Sequence, residues 1–446
     1  MPSGGYRNGS NVNNVGLNGN FWSVSQNSSN NAWNLYFNNG NSNMNNNNRN
    51  NGQSVRLSQD YNQDNMENNK NIEFADSLLY DVFVAYFCAR KHKRNKTSQL
   101  EFEIDLENNI INLYHELLSK SYRPYPARCF VIKDSVKREV FASFFHDRVV
   151  HHLYYNYVNR FFDSIFIKDS YSCREGKGTL YGVERLEHHL RSCSENYSVK
   201  AYVLQLDIQG YFMSINRDHL YDIVMCYLKK FQAQPNSYSE EKWNFIFWLT
   251  DIIIHKDPLE NCIMVGSPDN WRDLPSTKCL SCQPKGVGLP IGDLTSQLFS
   301  NIYLNSLDYF VTRQLAFRHY GRYVDDFYIV SRDKVALKNA IQLINEHLKS
   351  LGLRLHPKKI RIKRVDEAIC FLGYKIYPFY RHVKSRTWRK FYSKIIEYEQ
   401  IINCRELTQV EHDYFQSMYQ SYCGYVEKSR SYNVMQFVAM LCPKQC

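Results

Sequence analysis

The chain contains no run of 18 apolar residues, so no membrane-spanning helix is expected. Its first residues lack a basic stretch followed by an apolar one, so no secretory leader is expected either. It also lacks a cysteine framework. Thirteen cysteines are dispersed without regular spacing, which argues against a disulfide scaffold and for reduced thiols in a cytoplasmic protein. Cys279 and Cys282 form a CxxC, but no second CxxC or His pair at zinc spacing accompanies it, so two free thiols are expected. The fourteen histidines, including His151-His152 and His188-His189, show no catalytic spacing and read as core or surface groups. No internal repeat is present.

What the chain does have is length, aromatics and positive charge. Its 446 residues suffice for two or three domains with a sizeable core. A net charge of +11 suits a polyanionic partner without proving one. Aromatics make up 15% of the chain, with 34 Tyr. Tyrosines beside Arg and Lys suit stacking on single-stranded nucleic acid, and equally an ordinary Tyr-rich core.

Composition divides the chain near residue 70. Asn supplies 20 of the first 57 residues, with Gly and Ser between them. Such a segment buries too little apolar surface to fold alone, so residues 1–70 are expected to be disordered. From Ile72 the pattern turns globular. Ser77–Cys88 reads as a helix, and the basic run Arg90–Lys96 as a loop that either meets phosphates or is simply solvated. Phe102, Leu106, Ile110, Leu113 and Leu117 recur at helical spacing, ending before Pro124. Phe130–Ile132 and Glu139–Phe141 read as a hairpin, and His146–Phe162 as a helix. Residues 230–287 read as an insertion, with a Trp-rich helix Trp243–Ile254 and then a Pro/Gly/Ser loop. After Tyr380, a basic stretch leads into an amphipathic helix carrying Trp388, Phe391, Tyr392, Ile395 and Ile396.

The candidate chemistry lies in three acids. Asp325 and Asp326 stand between the short strand-like runs Arg322–Val324 and Phe327–Val330, which reads as a hairpin with both acids at its tip. Asp207 ends another strand-like run, Ala201–Leu206. Two strand ends carrying three carboxylates can hold two Mg²⁺ ions about 4 Å apart, a donor set suited to in-line phosphoryl transfer. A glycine-bearing block, Gly288–Leu304, follows the insertion. Its glycines permit close approach, Asp293 can cap the next helix, and Leu294, Leu298 and Ile302 form an apolar stripe.

These motifs resemble those of reverse transcriptases. Leu206–Phe212 resembles motif A, Ser170–Thr179 motif 2, Gly288–Gln297 motif B, Tyr323–Asp326 motif C, Gly352–Lys359 motif D, and Phe371–Tyr374 the primer grip of motif E. The resemblance implies an α+β right-hand polymerase behind the Asn-rich segment 1–70. Its fingers would span 71–200, its palm 201–380 with the insertion at 230–287, and its small helical thumb 381–446. It implies Asp207, Asp325 and Asp326 as catalytic metal ligands, with the Ile208 carbonyl completing the shell around two Mg²⁺ ions. Phe212 would exclude a ribose 2′-hydroxyl. Lys133 and Arg138 would grip the triphosphate, and Arg174 and Gln297 would lie along the nucleotide site. Lys359 would protonate leaving pyrophosphate, and Phe371, Leu372, Gly373 and Tyr374 would hold the primer.

Motif B departs from the common pattern. Ile291-Gly292 stands where most of the family has Gln-Gly, and Ser296-Gln297 where it has Ser-Pro. That variant resembles the enzymes of diversity-generating retroelements, which copy a template repeat into cDNA with errors opposite adenines. Replacing a polar Gln by Ile291 removes a hydrogen-bonding handle, and its loss relaxes discrimination. Codons for Asn begin with two adenines, so the Asn-rich, lectin-like N-terminal piece resembles a translated template repeat. The resemblance further implies template RNA, primer or cDNA, dNTPs and a small basic helical accessory protein as partners. Retron, group II intron and abortive-infection reverse transcriptases, and a non-catalytic RNA-binding scaffold, are the alternatives.

Overall fold

The computed structural model describes residues 70–429, apart from 92–95, 134–136 and 236, together with strand backbones at 6–8, 11–13, 19–26, 31–38, 41–48 and 52–53. The chain divides into two units, Met1–Tyr80 and Asp81–Cys446. In the first, β1 (Tyr6–Asn8), β2 (Asn11–Asn13) and β6 (Gly52–Gln53) form one small sheet. β3 (Gly19–Gln26), β4 (Asn31–Asn38) and β5 (Asn41–Asn48) form another. The Asn-rich composition favours disorder here, and two local signals accompany the strands. Trp33, Leu35 and Phe37 alternate at the strand period along β4. Asn38 pairs with Asn41, and the sequence between them reads Asn-Gly, a dipeptide that favours two-residue hairpins.

Helix α1 (Lys70–Arg90) is followed by α2 (Thr97–Ile104) and α3 (Leu106–Leu118), whose buried stripe is Ile110, Leu113 and Leu117. The hairpin β7 (Arg128–Ile132) and β8 (Arg138–Ala142) leads into α4 (Phe145–Ile165) and α5 (Thr179–Cys193). β9 (Tyr202–Asp207), the single turn α6 (Tyr211–Ser214) and α7 (Arg217–Gln232) follow. The expected insertion contributes α8 (Glu240–His255) and β10 (Ile263–Met264). Phe161 and Tyr157 of α4 meet Trp243 and Phe245 of α8 at ring distances of 5.4 and 6.3 Å, so α8 is core rather than appendage. β10 pairs in parallel with β7, extending the β7–β8 hairpin by one edge strand.

Beyond the insertion come α9 (Leu294–Tyr303), α10 (Asn305–Tyr309), β11 (His319–Tyr323), β12 (Asp326–Ser331), α11 (Lys334–Ser350) and β13 (Arg361–Arg364). The central antiparallel sheet has the order β11-β12-β9-β13. Its buried face packs Val203, Tyr328 and Val330 against Val183, Leu186 and Leu190 of α5. Phe371, Tyr374 and Ile376, from the sheet of β14 (Ile369–Phe371), β15 (Tyr374–Tyr377) and β16 (Tyr380–Val383), complete that cluster. Helices α12 (Ser385–Cys404) and α13 (Gln409–Glu427) occupy the stretch expected to form a thumb. Phe391 and Tyr422 stack between them at 3.5 Å, and a Thr408–Glu411 capping box starts α13. Among the described residues no helix is long and apolar enough to cross a membrane.

Candidate active site

The three acids converge at one end of the central sheet. Asp326 is not at the hairpin tip. It opens β12, paired with Tyr323 on one side and with Asp207 on the other. The tip is Val324-Asp325, because the loop between paired Tyr323 and Asp326 holds only two residues. Successive side chains alternate across a sheet, so the paired Asp207 and Asp326 share a face. The Asp325 carbonyl accepts the Ile208 N–H at 3.2 Å, tying the tip to β9. Residues beyond Asp207 are clamped from the other side. The Asp207 carbonyl accepts from His356 N at 2.8 Å, and Gln209 N donates to the Arg354 carbonyl at 3.0 Å. That clamp brings Lys359 to the site, where its Nζ lies 2.7 Å from Asp207 Oδ2.

Val324 sits at φ +55, a left-handed conformation that a β-branched residue avoids. Such a residue costs about 1–3 kcal/mol and persists only when its surroundings over-determine it. Here Arg322 does so. Its Nη1 donates to the Val324 carbonyl at 3.1 Å and to Asn301 Oδ1 at 3.2 Å. The segment before it is held too, since Arg322 N donates to the Asp169 carbonyl and Tyr171 N to the Arg322 carbonyl.

Burial, followed by the neighbouring charge of Asp207, raises the Asp325 pKa; Lys278 and Lys359 oppose the rise. Burial, then Asp325 and Asp207, push Asp326 up to about 7. Like charges crowded in a partly desolvated corner resist ionisation. A divalent cation would remove that resistance, so the donor set fits one. Among the described residues no three His, Cys, Asp or Glu side chains close into a metal cage. Mg²⁺ does not require one, because it binds through one or two carboxylates and completes its shell with water and substrate phosphate.

The other expected site residues divide. Phe212 lies half-buried at the start of α6, and its carbonyl accepts from Leu289 N at 2.8 Å, linking motifs A and B. Ile291 packs into the cluster of Phe141, Met213 and Leu280, and its carbonyl accepts from Phe141 N at 3.2 Å. Gly292 is exposed beside it. Lys133 and Arg138 are exposed on the β7–β8 hairpin. Gln297 is exposed on α9, accepting from Cys173 Sγ at 3.1 Å.

Arg174 is committed elsewhere. Its guanidinium donates to Asp163 Oδ1 at 2.5 Å and to the carbonyls of Asp163, Ile167 and Ser170 at 3.2, 2.7 and 3.1 Å. It therefore braces the motif 2 loop rather than facing a nucleotide. Asp293 does not cap α9 with its side chain. Its carboxylate instead accepts from Ser143 Oγ at 2.7 Å and lies 3.5 Å from His151 Nε2. Phe371 and Tyr374 are buried partners flanking a turn whose residues, Leu372 and Gly373, both have positive φ. That turn meets α13, where Tyr374 stacks on Tyr425 at 4.7 Å. Sequence reasoning missed Arg322, which holds the Val324 carbonyl, and the buried Asp308, paired with Arg322 at 2.7 Å. The one signal for Arg322 is a charged residue inside an otherwise strand-like run.

Residues 142–376, more than half of the chain, match the family of reverse transcriptases (RNA-dependent DNA polymerases). Residues 1–58 match a domain of unknown function. Protein YkfC of Escherichia coli strain K12 is 24% identical over 320 residues, 63% of this chain and 74% of that protein. Among solved structures, apo telomerase from Candida tropicalis truncated from its C-terminal domain has a TM-score of 0.41 at 13% identity, over 61% of this chain and 59% of that one. Telomerase from Candida albicans in complex with a fragment of telomeric RNA has a TM-score of 0.40 at 12% identity, over 64% of this chain and 50% of that one. The chain thus spans less than two thirds of these telomerases. The family match runs from the end of β8 into β15 and takes in both acid-bearing strands, and this chain belongs to the reverse transcriptases.

Proposed function

We propose that this protein is an RNA-directed DNA polymerase that makes error-prone cDNA, mutated opposite template adenines, from the template-repeat RNA of a diversity-generating retroelement. The observation that carries the polymerase reading is the meeting of Asp207, Asp325 and Asp326 at one sheet end, with Lys359 on Asp207. Held by Asp207 and Asp325, with the Ile208 carbonyl and Asp326 beside them, two Mg²⁺ ions would supply activation of the primer 3′-hydroxyl and neutralisation of the triphosphate. Lys359, bonded to Asp207, would exchange that carboxylate for a phosphate oxygen and deliver a proton to leaving pyrophosphate. Phe212, half-buried beside Tyr211, presents the ring that excludes a ribose 2′-hydroxyl. Lys133 and Arg138 approach the triphosphate from the fingers, and the Phe371–Tyr374 turn supports the primer.

The retroelement reading rests on Ile291-Gly292, Ser296-Gln297 and the Asn-rich first 57 residues. An apolar side chain at 291 offers no hydrogen bond with which to test a base pair. Partners in this reading are the template RNA, the cDNA or primer, dNTPs and a small basic helical accessory protein. Dispersed cysteines suit the cytoplasm.

Primer extension on the cognate RNA, with Mg²⁺, all four dNTPs, and with or without the accessory protein, tests both levels. Errors concentrated at template adenines support the full reading. Faithful cDNA leaves a polymerase of retron or defence type. A protein that binds RNA, makes no DNA and retains its biological output after Asp325→Ala/Asp326→Ala is a scaffold.

A further inference from the structure

The insertion does more than extend the fingers. Its last segment, between β10 and α9, is fastened at several points. Glu139 of β8, buried, accepts the Leu280 and Ser281 N–H groups at 2.6 and 3.4 Å through Oε2. Its Oε1 accepts the Trp271 indole N–H at 2.9 Å. Gln283 Nε2 donates to the carbonyls of Ser276 and Cys279 at 2.6 and 2.9 Å. The turn Ser276–Lys278 is thereby pressed onto motif A. A Cβ added at Gly210, three residues after Asp207, would lie 3.1 Å from both Thr277 Cβ and the Thr277 carbonyl oxygen. Gly210 is itself left-handed, at φ +59, so both conformation and space call for glycine there.

Lys278 is the next residue. Its side chain is half-buried and makes no hydrogen bond or ion pair among the described residues. Its charge reaches the Asp325 carboxylate, as does that of Lys359. A half-buried ammonium whose charge reaches Asp325, but which is bonded to no carboxylate, keeps its donors for an anion that enters the site. We infer that Lys278 binds the phosphates of the incoming dNTP, as a second cation delivered to the acids by the insertion. The inference rests on the polymerase reading. The polyanionic triphosphate must approach three carboxylates that repel it. Lys359 is engaged with Asp207, and Lys278 stands unengaged on the motif A side. A lysine meets phosphate as a point charge, so the contact does not depend on fork geometry.

Steady-state extension of oligo(dT) on poly(rA), with dTTP varied, tests this with Lys278→Ala and Lys278→Arg. Loss of one charged hydrogen bond is expected to raise KM for dTTP about tenfold in Lys278→Ala. The kcat should stay within about twofold, since the contact exists before and during chemistry. Lys278→Arg should stay near the wild type, and affinity for the primer–template duplex should not change. An unchanged KM in a folded Lys278→Ala overturns the inference. So does a loss confined to primer–template affinity, which would place Lys278 on the primer strand. If the wild type makes no DNA, the polymerase reading fails by itself. Equilibrium dialysis of dTTP with Mg²⁺ then decides Lys278, because equal binding by wild type and Lys278→Ala overturns it.

Discussion

Arg322 and Asp308 are joined by two parallel hydrogen bonds, Nε to Oδ1 and Nη2 to Oδ2, both 2.7 Å long, and neither side chain has any solvent exposure. Tyr320 donates to the same Oδ1 at 2.7 Å. The guanidinium has one arm left, and it reaches the Val324 carbonyl in the acid-bearing turn. The electrostatics of the core thus fix the backbone on which Asp325 stands.

Breaking that pair by removing one partner leaves a buried charge uncompensated, which costs about 3–5 kcal/mol. Asp308→Asn is therefore expected to lower the urea midpoint severely. Replacing both partners, in Arg322→Met/Asp308→Leu, should recover much of that stability but not DNA synthesis, because the arm to Val324 is gone. Urea melts and primer extension on the same preparations check this. A double variant that regains both would show that the turn needs no such support.

Asp326 carries a pH signature. Burial and its two acidic neighbours hold its folded pKa at about 7, above the usual 3.8. A raised acid pKa contributes stability below the unfolded value and loses it as pH rises through the folded one. Without Mg²⁺, the melting temperature should fall as pH climbs from about 4 through about 7, a fall that Asp326→Asn should flatten. At pH 8, Mg²⁺ should raise the wild-type melting temperature more than that of Asp326→Asn. Equal rises would remove Asp326 from the cation site.

How much of this was readable beforehand depended on whether one segment or two decided the outcome. Helical periodicity locates α3, and short strand-like runs locate β9 and β12, because each pattern lies within a single segment. Register does not. Sequence pattern alone puts Asp325 and Asp326 together at a tip, whereas pairing with Tyr323 and Asp207 draws Asp326 into the ladder. Asp293 obeys no local rule, since Ser143 and His151 compete with the helix end for its carboxylate and win. Arg174 stands in a stretch that resembles motif 2 yet is absorbed by Asp163 and three carbonyls. Asp308 lies in a stretch without a motif, and only the fold shows that Arg322 needs it.

Histidine 189 sets an acid limit. Burial is the main cause of its pKa falling from 6.5 to about 4; Asp169 opposes the fall, and Arg185, His319 and His188 add to it. The neutral ring is held between Arg185 Nη2 and the Tyr328 hydroxyl, both at 3.1 Å, and Tyr328 in turn meets the Tyr171 hydroxyl at 2.8 Å. A depressed His pKa gives stability that is present above the unfolded value and lost as pH falls toward the folded one. The slope from one such group is at most about 1.4 kcal/mol per pH unit. Urea midpoints should drop between about 6.5 and about 4 in the wild type, and less steeply in His189→Gln. Parallel profiles would assign the acid loss to other groups.

Gly292 offers a test of how motif B is seated. Its φ of +139 is one that side-chain-bearing residues rarely adopt, and a Cβ there would lie 2.6 Å from the Phe141 carbonyl oxygen. That oxygen is backbone in a paired strand and cannot swing aside. Gly292→Ala must therefore push the loop off β8, against the bond from Phe141 N to the Ile291 carbonyl. The strain is about 1–3 kcal/mol. Its larger effect should be on catalysis, since the displaced loop carries Leu289, whose N–H is bonded to the Phe212 carbonyl, and feeds directly into α9. Ile291→Val is the control. It removes one methylene from a half-buried side chain and should cost no more than about 0.5–1.5 kcal/mol while leaving extension near the wild type. The expected result is a folded Gly292→Ala protein whose kcat/KM falls well beyond what its melting temperature explains. Wild-type extension by Gly292→Ala would mean that the loop has room the geometry denies it, and that motif B need not lie against β8 for synthesis.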